Sequence, residues 1–382
     1  MDRLGYAAVR TVALDPARPN VVGEAFSRAA GRTLMFNGHI DTKPTGDLSE
    51  WSPGPYDPVI RDGRLSGLGS ADMKGAVAAM VHAGAALIET GAPPGTLRVV
   101  LTADEEAGSR YGARFLAGRP EVAADAVLVG EATGMQTSWA YVAVASRGIS
   151  CFLVSVRGTQ MHSSLSDQVP SINASVKLAQ VLSRMASEFA PTFPVSGLVP
   201  GRPTVNLGVT MSGGMFYGIY PGHAEFGMDV RTVPGMTLAG LSADVTAFLD
   251  QLRRQDPELD VTADPVPDLE WLPPSSINPA HPLVAAVQGA ARDVLGRRVP
   301  AGTMPAFTDG TYWHLAGSAC IPAFGPGTLL VAHRPNESVA VSEIVEASRI
   351  YALTALRYLG SDEVIPKSPR SGRPRARPPA EP

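Results

Sequence analysis

Apolar and polar positions along the chain follow two alternating periods. In the first third, TLMFNGHID (33–41), TLRVVLTADEE (96–106) and DAVLVGEAT (125–133) are short apolar runs ending in polar residues, as buried strands do. Between the first two, AVAAMVHAGAALIETG (76–91) has the length and spacing of a helix closed by Gly91. Strands separated by helices predict a mostly parallel sheet with helices on both faces, and ligands of such sheets collect beyond the C-terminal strand ends. The polar residues after the three runs, His39 with Asp41, Glu105 with Glu106, and Glu131, are therefore expected to converge on one edge.

From about Gly148 the rhythm changes. GISCFLVSVRG, TVNLGVTMSGG, HAEFGMDVRTV and LDVTADPV read as strands, and residues 171–189 and 237–255 as helices. This β-α-β-β-α-β order predicts an inserted α+β, ferredoxin-like domain. After the Pro-rich DPVPDLEWLPPSS, helical and strand patterns resume in HPLVAAVQGAARDVLG, CIPAFGPG and SEIVEASRIYALTALRYLG. The expected organisation is a main domain over 1–147 and 267–365, an insertion over 148–266, and a tail over 366–382.

Composition narrows the class. Of 382 residues 45% are apolar, and 32 Lys plus Arg against 36 Asp plus Glu leave a formal charge of −4. That balance excludes a disordered chain and a polycationic nucleic-acid binder. The tail holds Lys367, Arg370, Arg373, Arg375 and Arg377 against Glu381, so residues 1–365 carry −8, and the tail reads as disordered and solvated. No run approaches ~20 apolar residues, so no membrane span is expected, and MDRLGYAAVRTVALD lacks the form of a signal peptide. Cys151 and Cys320 alone imply no disulfide framework, which fits a reducing cytoplasm.

In GHIDT, His39 and Asp41 are two apart, so on an extended segment one can bind a metal while the other orients it; an ordinary strand end is the alternative. Asp72 lies in GLGSADMKG just before a helix, where a carboxylate at a helix N-terminus is equally natural. A phosphate loop is excluded there, because Lys74 precedes Gly75 and the G-x-x-x-x-G-K-[ST] spacing is absent. TADEEAG sets Asp104, Glu105 and Glu106 side by side behind an apolar strand. A solvated loop would tolerate that, but at a buried strand end cations must offset the repulsion, and one Glu can ligate while its neighbour faces a water. Glu131 in GEAT and His333 in AHRPNE complete the set.

In order, GHIDT, SADMKG, TADEEAG, GEAT and FGPGTLLVAHRPNE resemble the motifs of the M20 family of dinuclear zinc metallopeptidases and deacylases, over about residues 5–360. The resemblance implies a zinc-exopeptidase-like α/β fold with an inserted lid and dimerisation domain. It implies two Zn²⁺ ions, for which Co²⁺ can substitute, one on His39, Asp72 and Glu131 and the other on Asp72, Glu106 and His333. Asp41 would orient His39, and Glu105 would be the general base. His162 in VRGTQMHSS would reach the partner subunit's site to stabilise an oxyanion, with a surface histidine as the alternative. Arg231 in MDVRTVPG would bind a substrate carboxylate, with a strand-end ion pair as the alternative.

Departures from the pattern bear on the substrate. Gly218 in GGMFYG stands where relatives place an Asn, Leu68 stands where they place an Arg, and Thr308 with Asp309 resembles their Ser/Thr-Asp near the substrate. Relatives also carry a few tens of residues before the segment resembling LGYAAVR, so the chain is expected to start upstream of Met1 or to be shortened. The function implied is removal of an acetyl or succinyl group from an N-acyl amino acid by a homodimer with no nucleic-acid or membrane partner. A dipeptidase or carboxypeptidase acting on short peptides is the alternative, followed by an inactive family member that keeps the fold for binding.

Overall fold

The computed structural model describes residues 1–27, 31–91, 93–195 and 202–360, so the tail expected over 366–382 lies outside the described residues. In chain order the principal elements are β1 (Ala8–Val12), β2 (Asn20–Ser27), β3 (Thr33–His39), α1 (Gly75–Thr90), β4 (Thr96–Thr102) and β5 (Ala126–Val129). They continue as β6 (Gly148–Arg157), α2 (Ala174–Glu188), β7 (Thr204–Gly213), β8 (His223–Thr232), α3 (Leu238–Gln255) and β9 (Asp260–Pro265). The chain closes with α4 (Pro282–Leu295), α5 (Gly310–Leu315), β10 (Ala319–Ile321) and α6 (Val341–Leu359). Two compact units result: Met1–Val142 with Ile277–Ala301 and the chain from Tyr312 onward, and Ala143–Ser276 with Gly302–Thr311.

The first unit is built on a six-stranded sheet of order β1-β2-β4-β3-β5-β10. Strand β3 pairs in parallel with β4 and β5, and β10 in parallel with β5. These continuous apolar strands are the ones the hydrophobic pattern predicts. Antiparallel β1 and β2 extend the sheet beyond β4 and escape that pattern. Their residues explain why: β1 is a short, half-exposed edge, and β2 carries Glu24 in mid-strand, where it pairs with Arg98 at 2.8 Å beside a register shift.

Helices cover both faces of this sheet. Successive residues of a strand point to opposite sides. Phe36 of β3 lies 5.4 Å from Tyr351 of α6, whereas Asn37 accepts a 2.9 Å hydrogen bond from the Trp313 indole of α5 on the other side. Helix α1 buries Ala76, Ala79, Met80, Ala83 and Leu87, the i, i+3, i+4, i+7 stripe of a core-facing helix, and packs against the sheet and α6. Ser70–Thr90 is the one described helical segment long and apolar enough to cross a membrane, and this packing accounts for its apolarity.

The second unit has the split βαβ topology. Its antiparallel sheet runs β7-β8-β6-β9, with Phe152, Val154 and Val156 of β6 and Phe226, Met228 and Val230 of β8 turned into one core. Leu178, Val181 and Met185 of α2 and Leu241, Val245, Leu249 and Leu252 of α3 close that core. Both helices start at caps readable in the sequence: Asn173 accepts from the Val176 amide and Thr237 from the Gly240 amide. The unit is wider than the predicted 148–266. Ser146 pairs with Ser275 in a short antiparallel ladder, and the Arg147 amide donates to the Met304 carbonyl, so both flanks and residues 302–311 travel with it.

Candidate functional site

The C-terminal ends of β3, β4 and β5 in the first unit bring His39, Glu105, Glu106 and Glu131 to one edge, joined by Asp72 from the turn before α1 and by His333 from the loop after β10. His39 is 1% exposed. Its Nε2 lies 3.0 Å from Asp72 Oδ1 and 3.4 Å from Glu131 Oε1. Its Nδ1 faces Asp41, 3.2 Å from the carbonyl oxygen and 3.6 Å from Oδ1 of the carboxylate. On the other side, His333 Nε2 lies 3.2 Å from Asp72 Oδ2 and 3.1 Å from Glu106 Oε1. Asp72 thus presents one carboxylate oxygen to each histidine.

Three neighbouring acids take three directions. Asp104, in the left-handed region at φ 65°, turns into the protein and pairs with Arg18 while accepting from the Tyr111 amide. Glu105 sends a carboxylate oxygen to within 4.8 Å of donor atoms of His39 and Glu131. Glu106 faces His333, and Lys43 Nζ sits 3.3 Å from its Oε2. Asp41 fixes this loop by accepting the Glu105 and Glu106 amides at 3.2 and 3.1 Å. At the end of β5 the fit is backbone to backbone: a Cβ on Gly325 would stand 1.9 Å from the Gly130 carbonyl, so only glycine allows the bridge that seats Glu131.

The electrostatics follow from crowding acids in a dry place. Burial, with the charges of Asp72 and Glu106, pushes the Glu131 carboxyl up to about 7 against the pull of His39. Burial alone would lower His39, but the adjacent Asp41, Asp72 and Glu131 outweigh it and hold the imidazole well above its ordinary value. His333 rises to about 10 through its contacts with Asp72 and Glu106. For Asp72, burial works upward and is overcome by His333 and His39, which hold it well below the usual carboxylate range. Four carboxylates facing two imidazoles form a donor set that protons satisfy only partly and that divalent cations fit, since imidazole nitrogen and carboxylate oxygen are ordinary ligands of Zn²⁺ and its neighbours. Two overlapping donor groups, His39-Glu105-Glu131 and His39-Asp72-Glu106, each have their ligand atoms within 4.8 Å of one another.

An α/β sheet bearing this cluster at its strand ends presents a candidate site for divalent metal. The model of peptidase family M20/M25/M40 matches residues 35–357. The chain belongs to that family, and it is a hydrolase of amide bonds. It is 30% identical over 337 residues to a succinyl-diaminopimelate desuccinylase of Alkalilimnicola ehrlichii, covering 86% of this chain and 85% of that protein. It is 28% identical over 350 residues to succinyl-diaminopimelate desuccinylase 2 of Ruegeria, covering 88% and 82%. In fold it resembles the di-peptidase Dug1p of Saccharomyces cerevisiae, with a TM-score of 0.74, 17% identity and 95% and 89% of the two chains covered. It likewise resembles an M20 family metallo-carboxypeptidase of Sulfolobus solfataricus, with a TM-score of 0.72, 19% identity and 92% and 90% covered.

The remaining candidate site residues, His162, Gly218, Arg231 and Asp309, lie in the second unit, and Leu68 lies in the first. His162 is exposed, with Nδ1 accepting from the Ser164 amide, and pairs across a two-residue ladder with Ile219, next to Gly218. Gly218 at φ 85° offers backbone only, its carbonyl taken by the Ser163 amide. Arg231 pairs with Asp229 at 2.9 Å on one face of β8. Asp309 is buried beside Thr308, whose Oγ1 accepts from the Gly310 amide. Sequence reasoning missed Lys43 and Glu337; the latter, four positions after His333, accepts three backbone amides around Asp72. Lys43 lies in no quoted motif, and Glu337, although it closes the AHRPNE run, was read there only for His333; the folded loops reveal what both contact.

Proposed function

We propose that this chain removes an acyl group, acetyl or succinyl, from the nitrogen of an amino acid. The observation that carries the reading is Asp72, whose two oxygens face two histidines and leave room for a pair of divalent ions, Zn²⁺ with Co²⁺ as a substitute. His39, Asp72 and Glu131 would hold one ion, and Asp72, Glu106 and His333 the other. When bound, such ions polarise an amide carbonyl and acidify water.

The chain's own residues would do the rest. Asp41 keeps the His39 proton on Nδ1, so that Nε2 presents its lone pair inward. Glu105 takes the proton of the attacking water and returns it to the leaving amine, a transfer its place between His39 and Glu131 supports. Arg231 offers the planar fork suited to a substrate carboxylate, with Gly218 and Asp309 near the substrate and His162 as oxyanion donor to a partner copy. The second unit would act as lid and dimerisation domain, through the edge strand β7 and the exposed Met211, Met215, Phe216 and Tyr217. Cys151 and Cys320 form no disulfide, which fits residence in the cytoplasm.

The desuccinylase relatives, aligned over some 85% of their length, favour a deacylase over an exopeptidase. A panel of N-succinyl and N-acetyl amino acids beside dipeptides, assayed with Zn²⁺ and with Co²⁺, tests the choice. Turnover of the acyl amino acids is expected, and turnover of dipeptides alone would reverse it. Glu105→Gln should lower kcat by roughly 10²–10⁴ while leaving the metal content unchanged; near-normal turnover would remove Glu105 from its role.

A further inference from the structure

We infer that Glu337 is the positioning residue of the shared aspartate: its carboxylate sets the backbone turn that aims Asp72 between the two histidines. Glu337 is 2% exposed, and it spends both oxygens on the turn before α1. Its Oε2 accepts from the Gly69 amide at 2.9 Å, and its Oε1 accepts from the Ala71 and Asp72 amides at 2.7 and 2.9 Å. Amides at a helix start have no partner within the helix. Here the usual local cap is missing, and a carboxylate 265 residues along the chain from Asp72 replaces it.

The turn needs such a clamp. Gly69 is left-handed at φ 79°, and Asp72 (φ −122°, ψ 89°) and Met73 (φ −134°, ψ 32°) leave helical geometry inside it. Local bonds close its ends, from the Ser70 amide to the Gly67 carbonyl at 3.1 Å and from the Lys74 amide to the Gly69 carbonyl at 2.8 Å, while the Ala71 and Asp72 amides between them go to Glu337. The same short loop also carries His333, so one carboxylate ties the segment bearing His333 to the segment bearing Asp72. Asn336 secures the loop from the other side, accepting from the Ser52 amide at 2.7 Å and donating to the Glu50 carbonyl at 2.8 Å. Glu337 touches neither substrate nor metal; it sets the distance between two ligands that do.

The inference rests on the reading of Asp72 as a shared ligand. Glu337→Gln keeps the shape but turns an amide NH₂ toward one of the backbone N–H groups it must accept from. Outer residues that orient ligands typically cost about 10–100-fold in metal affinity when replaced. Chelator-competition titration of metal-free protein with Zn²⁺ should therefore show the variant binding about 10–100-fold more weakly. Its turnover should recover at saturating Zn²⁺ with KM unchanged, and metal-free parent and variant should melt at similar temperatures. Unchanged affinity overturns the proposal, as does a lost activity that excess Zn²⁺ fails to restore while the metal-free Tm falls, the mark of a purely structural residue. Glu337→Asp keeps the charge but retracts it, and if the Gln variant does not fold, unchanged affinity in the folded Asp variant overturns it equally. A parent that binds no divalent ion fails the reading of the site itself, whereas a parent and variant binding two ions equally well fail only this inference.

Discussion

Asp104, Glu105 and Glu106 are neighbours in sequence, yet one is neutralised by Arg18 inside the protein, one faces His39 and Glu131, and one lies between Lys43 and His333. Residue identity alone cannot separate them, because the split depends on the left-handed backbone at Asp104. His39, Glu105, Glu106 and Glu131 were legible as a converging set from the strand ends, whereas Asp72 and His333 joined it only through the resemblance of their motifs. The roles of Lys43 and of Glu337, which ends the AHRPNE motif, were not legible, because their partners come from distant loops. The charges of this set bear on pH. His39, His333 and Glu131 hold their protons more tightly in the folded chain, so their stabilisation is complete below the unfolded values, ~6.5 for His and ~4.3 for Glu, and is lost as pH rises through the folded ones. For Glu131 and His333 those folded values are about 7 and about 10. Asp72 and Asp41, held low, act in the opposite sense: their stabilisation is present above ~4 and is lost in acid. Metal-free protein should therefore lose thermal stability between pH 7 and about 10, and metal uptake at pH 7 should release protons. Calorimetry in buffers of differing ionisation enthalpy measures that release, and finding none would contradict the assigned charge state.

Elements with a clean period were predictable, and those without one were not. Strands β3, β4 and β5 read as apolar runs because both their faces are covered, and α1, α2, α3, α4 and α6 read from helical spacing, α1 with Gly91 at its end. Strands β1 and β2 lack either signal, and their place in the sheet comes from pairing beyond β4. The centre of the sheet also holds one polar choice that the apolar pattern of β3 conceals. Asn37 is fully buried, donates to the Val100 carbonyl and Thr102 Oγ1 at 3.1 and 3.2 Å, and accepts from the Trp313 indole at 2.9 Å. Asn37→Leu should strand that indole N–H in the core and cost about 1–3 kcal/mol. Thermal melting measures the loss, and an unchanged Tm would show that α5 does not depend on this bond.

For the molecule as a whole, the order of the second unit's elements could be read directly, while its edges could not, because the flanking ladder of Ser146 with Ser275 is too short to show a period. Its β7 edge exposes Met211 at 64%, and the loop after it exposes Phe216 at 76% and Tyr217 at 95%, an apolar surface suited to pairing with another chain. Sedimentation should find a dimer for the parent and a monomer for the double variant Met211→Glu, Phe216→Glu. A monomeric parent at micromolar concentration would refute the proposed pairing.

The interruption of the first unit by the second also orders events during synthesis. His333 comes 227 residues after Glu106. At ~5–20 residues per second, a ribosome needs roughly 10–45 s to pass from one to the other. For most of that interval, from Glu131 until Ala319, the emerging chain has its acidic strand ends but not β10, the last histidine or Glu337, and β5 stands as an open edge where a neighbouring nascent chain could add. A product released early by a stalled ribosome would be an acidic half-site with a sticky border, so only completed synthesis brings the proposed donor set together.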